Sequence, residues 1–253
     1  MLNFKIDPKS TLLDVANCAK NYILNHNISL SDKINVVVED EAYLTLNDKS
    51  LGKNFKLDFA SDKLIWRLKH SGRNSEAVCR AVIGKLESPI VFDATAGLGR
   101  ESIILASAGA FVYMFERNPI IWLLLNSAHQ KASLNQDFLS LFAKGLPRIN
   151  ALGSIREVYP NSTLPKPDVI YYDPMFPQRT KSSLVKKDMR IFHELVGFDE
   201  DTTEYADYLC TIAKHHVVVK RPANEDPLDL KARRSSFVDG KACRFDCYYV
   251  NNP

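Results

Sequence analysis

The sequence predicts an α/β fold in which a parallel sheet is covered by helices on both faces, with a small α+β appendage ahead of it. Three observations carry this. From Pro89 onward, short apolar runs alternate with helical stretches, as strands and crossover helices do. A glycine-containing turn separates the first of these runs from its helix. Before Pro89 the pattern is different: one amphipathic helix followed by short strands.

In the appendage, residues 1–60, Thr11–His26 has apolar residues at helical spacing. Ile34–Glu39 and Ala42–Leu46 read as strands, and Phe55–Phe59 as a further one. Residues 61–253 form the main domain. Ala60–Lys85 carries a charged segment, Arg67–Lys85, whose second half reads as helical. The expected strands are Ile90–Ala94, Ala110–Glu116, Arg148–Leu152, Asp168–Tyr172, His216–Lys220 and Arg244–Val250. The expected helices are Arg100–Ala108, Pro119–Ser133, Phe138–Lys144, Lys186–Val196 and Thr203–Lys214. Pro222–Gly240 is polar and without period, a loop holding one hairpin strand.

Composition is that of an ordinary globular chain: 253 residues, 45% hydrophobic, 25% charged and a formal net charge of +3. The longest apolar run, Ile120–Leu125, is far short of the roughly 20 residues of a membrane span. No apolar stretch follows Met1-Leu2-Asn3-Phe4-Lys5, so no secretory signal is expected and the chain is expected to be cytoplasmic. The five cysteines are scattered. Cys243 and Cys247 alone are close, and one such pair is a poor zinc signal, so no metal is expected. The histidines form no ligand or triad spacing, and Trp66 and Trp122 are assigned to core or interface packing.

The chemistry gathers at two strand ends. Asp93-Ala94-Thr95-Ala96-Gly97-Leu98-Gly99-Arg100-Glu101 joins a strand to a helix, where open α/β sheets bind nucleotides. Gly97 and Gly99 allow close backbone approach. Glu116, seventeen positions after Gly99 at the end of the next strand, is spaced to meet a ribose hydroxyl pair. The third glycine of a dinucleotide loop is absent, Ser102 standing three after Gly99. This suits S-adenosylmethionine better than NAD.

The strand Asp168–Tyr172 runs into Asp173-Pro174-Met175-Phe176-Pro177. This looks like the Asp-Pro-Pro-aromatic turn of methyltransferases acting on exocyclic amino groups, with Met175 in place of the second proline. Such a nitrogen is a poor nucleophile because its lone pair delocalises into the ring. A carboxylate, Asp173, accepting its N–H groups would aim the lone pair, and an aromatic ring, Phe176, would stack on the base, worth roughly 1–3 kcal/mol. Arg179, Lys181, Lys186, Lys187 and Arg190 follow this turn, and Lys220, Arg221, Lys231, Arg233, Arg234, Lys241 and Arg244 form a second basic set. Phosphate contact is expected from their position beside Asp173, most directly from the first set with Lys220 and Arg221. Arg67, Lys69, His70 and Arg73 form a weaker third patch.

With both motifs in hand, the chain resembles the RsmJ family, small-subunit ribosomal RNA (guanine-N2)-methyltransferases. The matching residues are Asp93–Ser102, Phe115–Pro119, Tyr171–Arg190 and Val217–Pro222, with Arg244–Tyr248 similar to the family's closing strand. The resemblance runs from about Phe59 to the C-terminus. It implies a Rossmann-like class I SAM-dependent methyltransferase sheet. It also implies methyl transfer from S-adenosyl-L-methionine to N2 of a guanine, numbered 1516, in 16S rRNA, with 16S rRNA or the small ribosomal subunit as partner. Carried over by position, cofactor contacts would come from Arg100, Glu101, Glu116, Arg117, Gly153, Ser154 and Asp173, around Asp93, Gly97 and Gly99. The family tends to carry two hydroxyl residues at Gly153-Ser154, so the contact at Gly153 would be through its backbone. Other readings of the same residues are transfer to another amine (adenine N6 or a protein glutamine) and a non-catalytic RNA-binding protein.

Overall fold

A computed structural model describes residues 3–47, 54–175, 191, 195, 201–232 and 234–250. The appendage opens with a strand the sequence did not signal, β1 (Phe4–Ile6), whose three residues are too few to show a period. Helix α1 (Leu13–Asn25) buries Ala16, Ala19 and Ile23, the i, i+3, i+7 stripe that predicted it. Strands β2 (Ile34–Val38), β3 (Ala42–Leu46) and β4 (Asn54–Phe55) complete a four-stranded sheet in the order β1-β2-β3-β4. The expected strand Phe55–Phe59 is reduced to the two residues of β4.

The segment after it is more helical than its charge suggested, forming α2 (Asp62–His70) and α3 (Ala77–Val82). The main domain then runs β5 (Ile90–Asp93), α4 (Arg100–Ser107), β6 (Phe111–Met114), α5 (Pro119–Ala132), α6 (Gln136–Leu139), β7 (Arg148–Ile149) and α7 (Ile155–Val158). It continues with β8 (Val169–Tyr172), α8 (Thr202–Ile212), β9 (His216–Pro222), β10 (Arg234–Asp239) and β11 (Cys243–Tyr249). Helix α6 begins two residues earlier than expected and is a single turn. Of the expected helix Lys186–Val196, only Ile191 and Leu195 are among the described residues.

These strands make a seven-stranded sheet in the order β10-β11-β9-β8-β5-β6-β7. β9, β8, β5, β6 and β7 are parallel, while β11 runs antiparallel to both β9 and β10. Strands buried on both faces should be continuously apolar, and Val169–Tyr172 is buried throughout. Alternate residues serve opposite cores: Val91, Tyr171 and Val218 face one, Phe92, Ile170 and Val219 the other. The first core is continuous with that of the appendage, through Ala16, Val36 and Leu44. A hydrogen bond from the Ala42 N–H to Ser127 Oγ (2.7 Å) ties β3 to α5.

Chain order reverses at β5, which is flanked by β6 on one side and β8 on the other. Such a switch point opens a crevice at the carboxyl ends of the strands. The two motifs singled out in the sequence end β5 and follow β8, so the topology brings them together.

Candidate active site

Gly97 (φ 53°) and Gly99 (φ 71°) turn the chain from β5 into α4 in left-handed conformations that side chains disfavour. A Cβ at Gly99 would lie 2.8 Å from Cζ of Phe59, so the turn is also packed closely against the appendage. Asp93 is buried and braces the turn from below. Its Oδ2 accepts from Ser102 Oγ (2.6 Å) and its Oδ1 from the Thr95 N–H (3.2 Å). Burial, the dominant cause, raises its pKa to about 7 against those two hydrogen bonds. Asp93 therefore organises the turn.

Glu116, just past β6, points its carboxylate back to the turn. Its Oε2 accepts from the Gly97 N–H (2.9 Å) and its Oε1 from the Asn118 N–H (2.7 Å). Burial raises its pKa and these main-chain donors oppose the rise. The Gly153 N–H donates to the Glu116 carbonyl (3.0 Å), so the expected backbone role of Gly153 is spent in joining the loops after β6 and β7. The Ser154 N–H donates to Glu157 Oε2 (2.7 Å), starting α7.

Above these loops lies a cleft of about 480 Å³, within the roughly 300–1,000 Å³ of small-molecule sites. Thr95, Arg117, Ser154 and Tyr172 line it from the ends of four parallel strands, and Tyr205 from α8. Tyr22 and His26 of α1 form part of its wall, a contribution no sequence motif signalled. Arg100 and Glu101, expected at the cofactor, do not line this cleft. Arg100 lines a separate groove with Phe59, Arg67 and Leu98. Glu101 faces Lys220.

Asp173 follows β8, its N–H donating to Thr95 Oγ1 (2.7 Å), which links the two motifs directly. Pairing of β8 with β9 sets Tyr172 beside Val219, and the next residue, Lys220, reaches across. Its Nζ lies 2.6 Å from Asp173 Oδ2 and 3.5 Å from Glu101 Oε1. Burial opposes the Lys220 charge, but the two carboxylates overcome it and hold the pKa above the usual lysine value. Burial raises the Asp173 pKa; Lys220 pulls it down and Glu101 adds to the rise. The result is a carboxylate with one oxygen engaged by an ammonium.

The expectation that Lys220 and Arg221 meet RNA phosphates does not match their placement. Lys220 is turned onto Asp173, and the largely buried Arg221 pairs with Glu225 Oε2 (3.1 Å) and donates to the Asp226 carbonyl (2.7 Å). Arg244 and Arg234 are likewise drawn inward to the fully buried Asp246. Phe176, Arg179, Lys181, Lys186, Lys187, Arg190 and Arg233 lie outside the described residues. Among the described residues no group of three or more His, Cys, Asp or Glu could hold a metal ion, and no helix is long and apolar enough to cross a membrane.

The strand order, the glycine turn braced by Asp93, and the acid after the second parallel strand define a class I S-adenosylmethionine-dependent methyltransferase. A family model described as "Putative SAM-dependent methyltransferase" matches residues 18–250. Among curated relatives, ribosomal RNA small subunit methyltransferase J of Thioalkalivibrio sulfidiphilus is 42% identical over 196 residues, 76% of this chain and 75% of that protein. Its counterpart in Haemophilus influenzae is 39% identical over 234 residues, 91% of this chain and 88% of that protein. The crystal structure of the SAM-dependent methyltransferase NGO1261 from Neisseria gonorrhoeae superposes with a TM-score of 0.70 at 28% identity, covering 99% of this chain and 96% of that one. The chain belongs to the ribosomal RNA small subunit methyltransferase J family.

The residues present fit the cofactor this family uses. The cleft has the volume for a nucleoside carrying an amino-acid tail, and its walls are polar around Arg117 and Ser154 and aromatic at Tyr172 and Tyr205. Glu116 lies behind this wall with both oxygens engaged by main-chain N–H groups.

Proposed function

We propose that this protein methylates the exocyclic N2 of a guanine in 16S rRNA, at the position numbered 1516 in the family it resembles, with S-adenosyl-L-methionine as donor. The observation that carries this reading is the junction of Asp173 with Thr95 of the glycine turn (2.7 Å). It puts a carboxylate at the crevice where the cofactor cleft begins. The small-subunit rRNA named in the relatives' titles supplies the substrate class.

The cofactor supplies an electrophilic methyl group on a sulfonium. Glu116 binds ribose hydroxyls, and Arg117 and Ser154 bound the base-binding end of the cleft. Lys220 holds Asp173 Oδ2, and Oδ1 accepts an N–H of the amine. That hydrogen bond would aim the nitrogen lone pair into the cleft; as the N–C bond replaced the methyl–sulfur bond, leaving a neutral thioether, the N–H proton would pass to Oδ1. The pKa-raising burial of Asp173 suits it to take that proton. Positioning of this kind can supply roughly 7–11 kcal/mol of a barrier in favourable cases.

Phe176 stacks on the target base, which must leave its helix at a cost of a few kcal/mol. Arg179, Lys181, Lys186, Lys187 and Arg190 contact phosphates, and the enzyme works in the cytoplasm. The test is tritium transfer from labelled cofactor to 16S rRNA from a strain lacking this gene, followed by digestion to nucleosides. Label in N2-methylguanosine is the expected result. Label only in another nucleoside, or in protein, overturns the proposal.

A further inference from the structure

Helix α2 carries an indole where burial is the norm. Trp66 is 63% exposed, although a tryptophan side chain is on average highly buried. Trp122, the chain's other tryptophan, is buried and donates Nε1–H to the Asn150 carbonyl (2.9 Å). Trp66 is therefore not a core residue.

The ring is held in place. His70, one turn on, stacks against it at 4.6 Å between centroids and 18° between planes, and His70 Nδ1 is 2.8 Å from the Trp66 carbonyl. Lys63, Trp66, Arg67 and His70 share one stripe of the helix, at spacings of three, one and three. Arg67 is clamped by two hydrogen bonds to Glu76 (2.8 and 2.7 Å), yet its side chain remains 46% exposed. The outer face of α2 thus presents a rigid aromatic plane flanked by cations.

Arg67 of that face is linked to the residues around Asp173 through Glu101. Arg67 shares a groove of about 430 Å³ with Leu98 and Arg100 of the glycine turn. Glu101 acts electrostatically on both Arg67 and Lys220, and Lys220 is the partner of Asp173.

We propose that Trp66 is a stacking platform for an unpaired base of the RNA substrate, outside the catalytic pocket, with Lys63 and Arg67 beside the adjoining phosphates. This rests on the rRNA methyltransferase reading above. Aromatic planes stack on any base, and cations alongside track the backbone. Flanking nucleotides gripped here would fix the strand while the target guanine enters the site, so Trp66 contributes to RNA affinity and register rather than to the methyl-transfer step.

The test uses the full-length protein with transcribed 16S rRNA and, in parallel, with unmethylated 30S particles. Trp66→Ala should raise KM for the RNA by about 5- to 100-fold, the range that loss of one stacked base implies, with little change in kcat or in cofactor affinity. Trp66→Phe should recover most of the loss. Fluorescence of the wild type, after subtraction of the Trp66→Phe signal, should be quenched on adding RNA. Wild-type RNA affinity in Trp66→Ala, or no quenching, overturns the proposal. A loss seen with 30S particles but not with protein-free RNA also overturns it and points to a ribosomal protein. Failure of the wild type to methylate either RNA is the separate result that removes the functional reading itself.

Discussion

Lys220 reaches from β9 to within 2.6 Å of Asp173 Oδ2, at the end of the neighbouring strand. The pair spans 47 positions of sequence, and Glu101 closes it from α4 at 3.5 Å. One oxygen of the acid is thereby committed to the ammonium of Lys220.

Removal of that acid should stop the chemistry and spare the fold. Asp173→Ala is expected to lower kcat by about 10²- to 10⁴-fold, the range for loss of a positioned acid–base group. The circular dichroism spectrum should stay near wild type. Methyl transfer at an undiminished rate would remove Asp173 from the mechanism.

Lys220→Met tests the partner through pH. The amine can donate only to an ionised Asp173, so kcat falls as pH drops through the pKa of that carboxyl. The groups that act on Asp173 are Lys220, Glu101 and Tyr171, and it in turn acts on Asp93 and Cys243. Without Lys220, the upward effects of burial and of Glu101 go unopposed by its charge. The acid limb of the kcat profile should move to higher pH in Lys220→Met and stay close to wild type in Lys220→Arg.

Glu116→Ala should act on cofactor affinity. Loss of a carboxylate from a ribose contact corresponds to about 1.5–3 kcal/mol, a roughly 10- to 100-fold rise in cofactor Kd by calorimetry. The Gly97 and Asn118 N–H groups also lose their acceptor, so the midpoint of urea unfolding should fall. KM for RNA should hold.

Gly99→Ala combines two penalties, a left-handed φ and a Cβ that meets the Phe59 ring at 2.8 Å. We expect a loss of about 1–3 kcal/mol in unfolding free energy, the dihedral alone accounting for about 1–2. Combining it with Phe59→Leu should recover the steric part and leave the dihedral part, read from denaturant curves of the three variants.

The parts of the site that sequence revealed are those held by local patterns. Asp93 and Glu116 stand at the ends of apolar runs, and a parallel sheet puts all such ends on one edge, so their place around one turn could be read directly. The Lys220–Asp173 pair could not, because it depends on which strands are neighbours and in what register. The strand His216–Lys220 was visible, but its lysine read as one more surface cation. Arg244 and Arg234 misled in the same way, since the buried Asp246 that neutralises them is polar only in sequence and internal in space. Helix α2 was hidden by its charge: of its nine residues only Leu68 is buried, too few to mark a period. Thr95 and Ser102 lay inside a recognised motif, and only coordinates showed that one holds Asp173 and the other Asp93.

The presence of Tyr22 and His26 in the wall of the cofactor cleft bears on how this enzyme can be cut down. A shortened chain beginning after Phe59 would keep every recognisable motif, yet its donor site would stand open to solvent along one flank and the glycine turn would lose the ring that props it. The opening segment is thus a structural part of that enclosure, and a trimmed chain would need other residues to seal the flank.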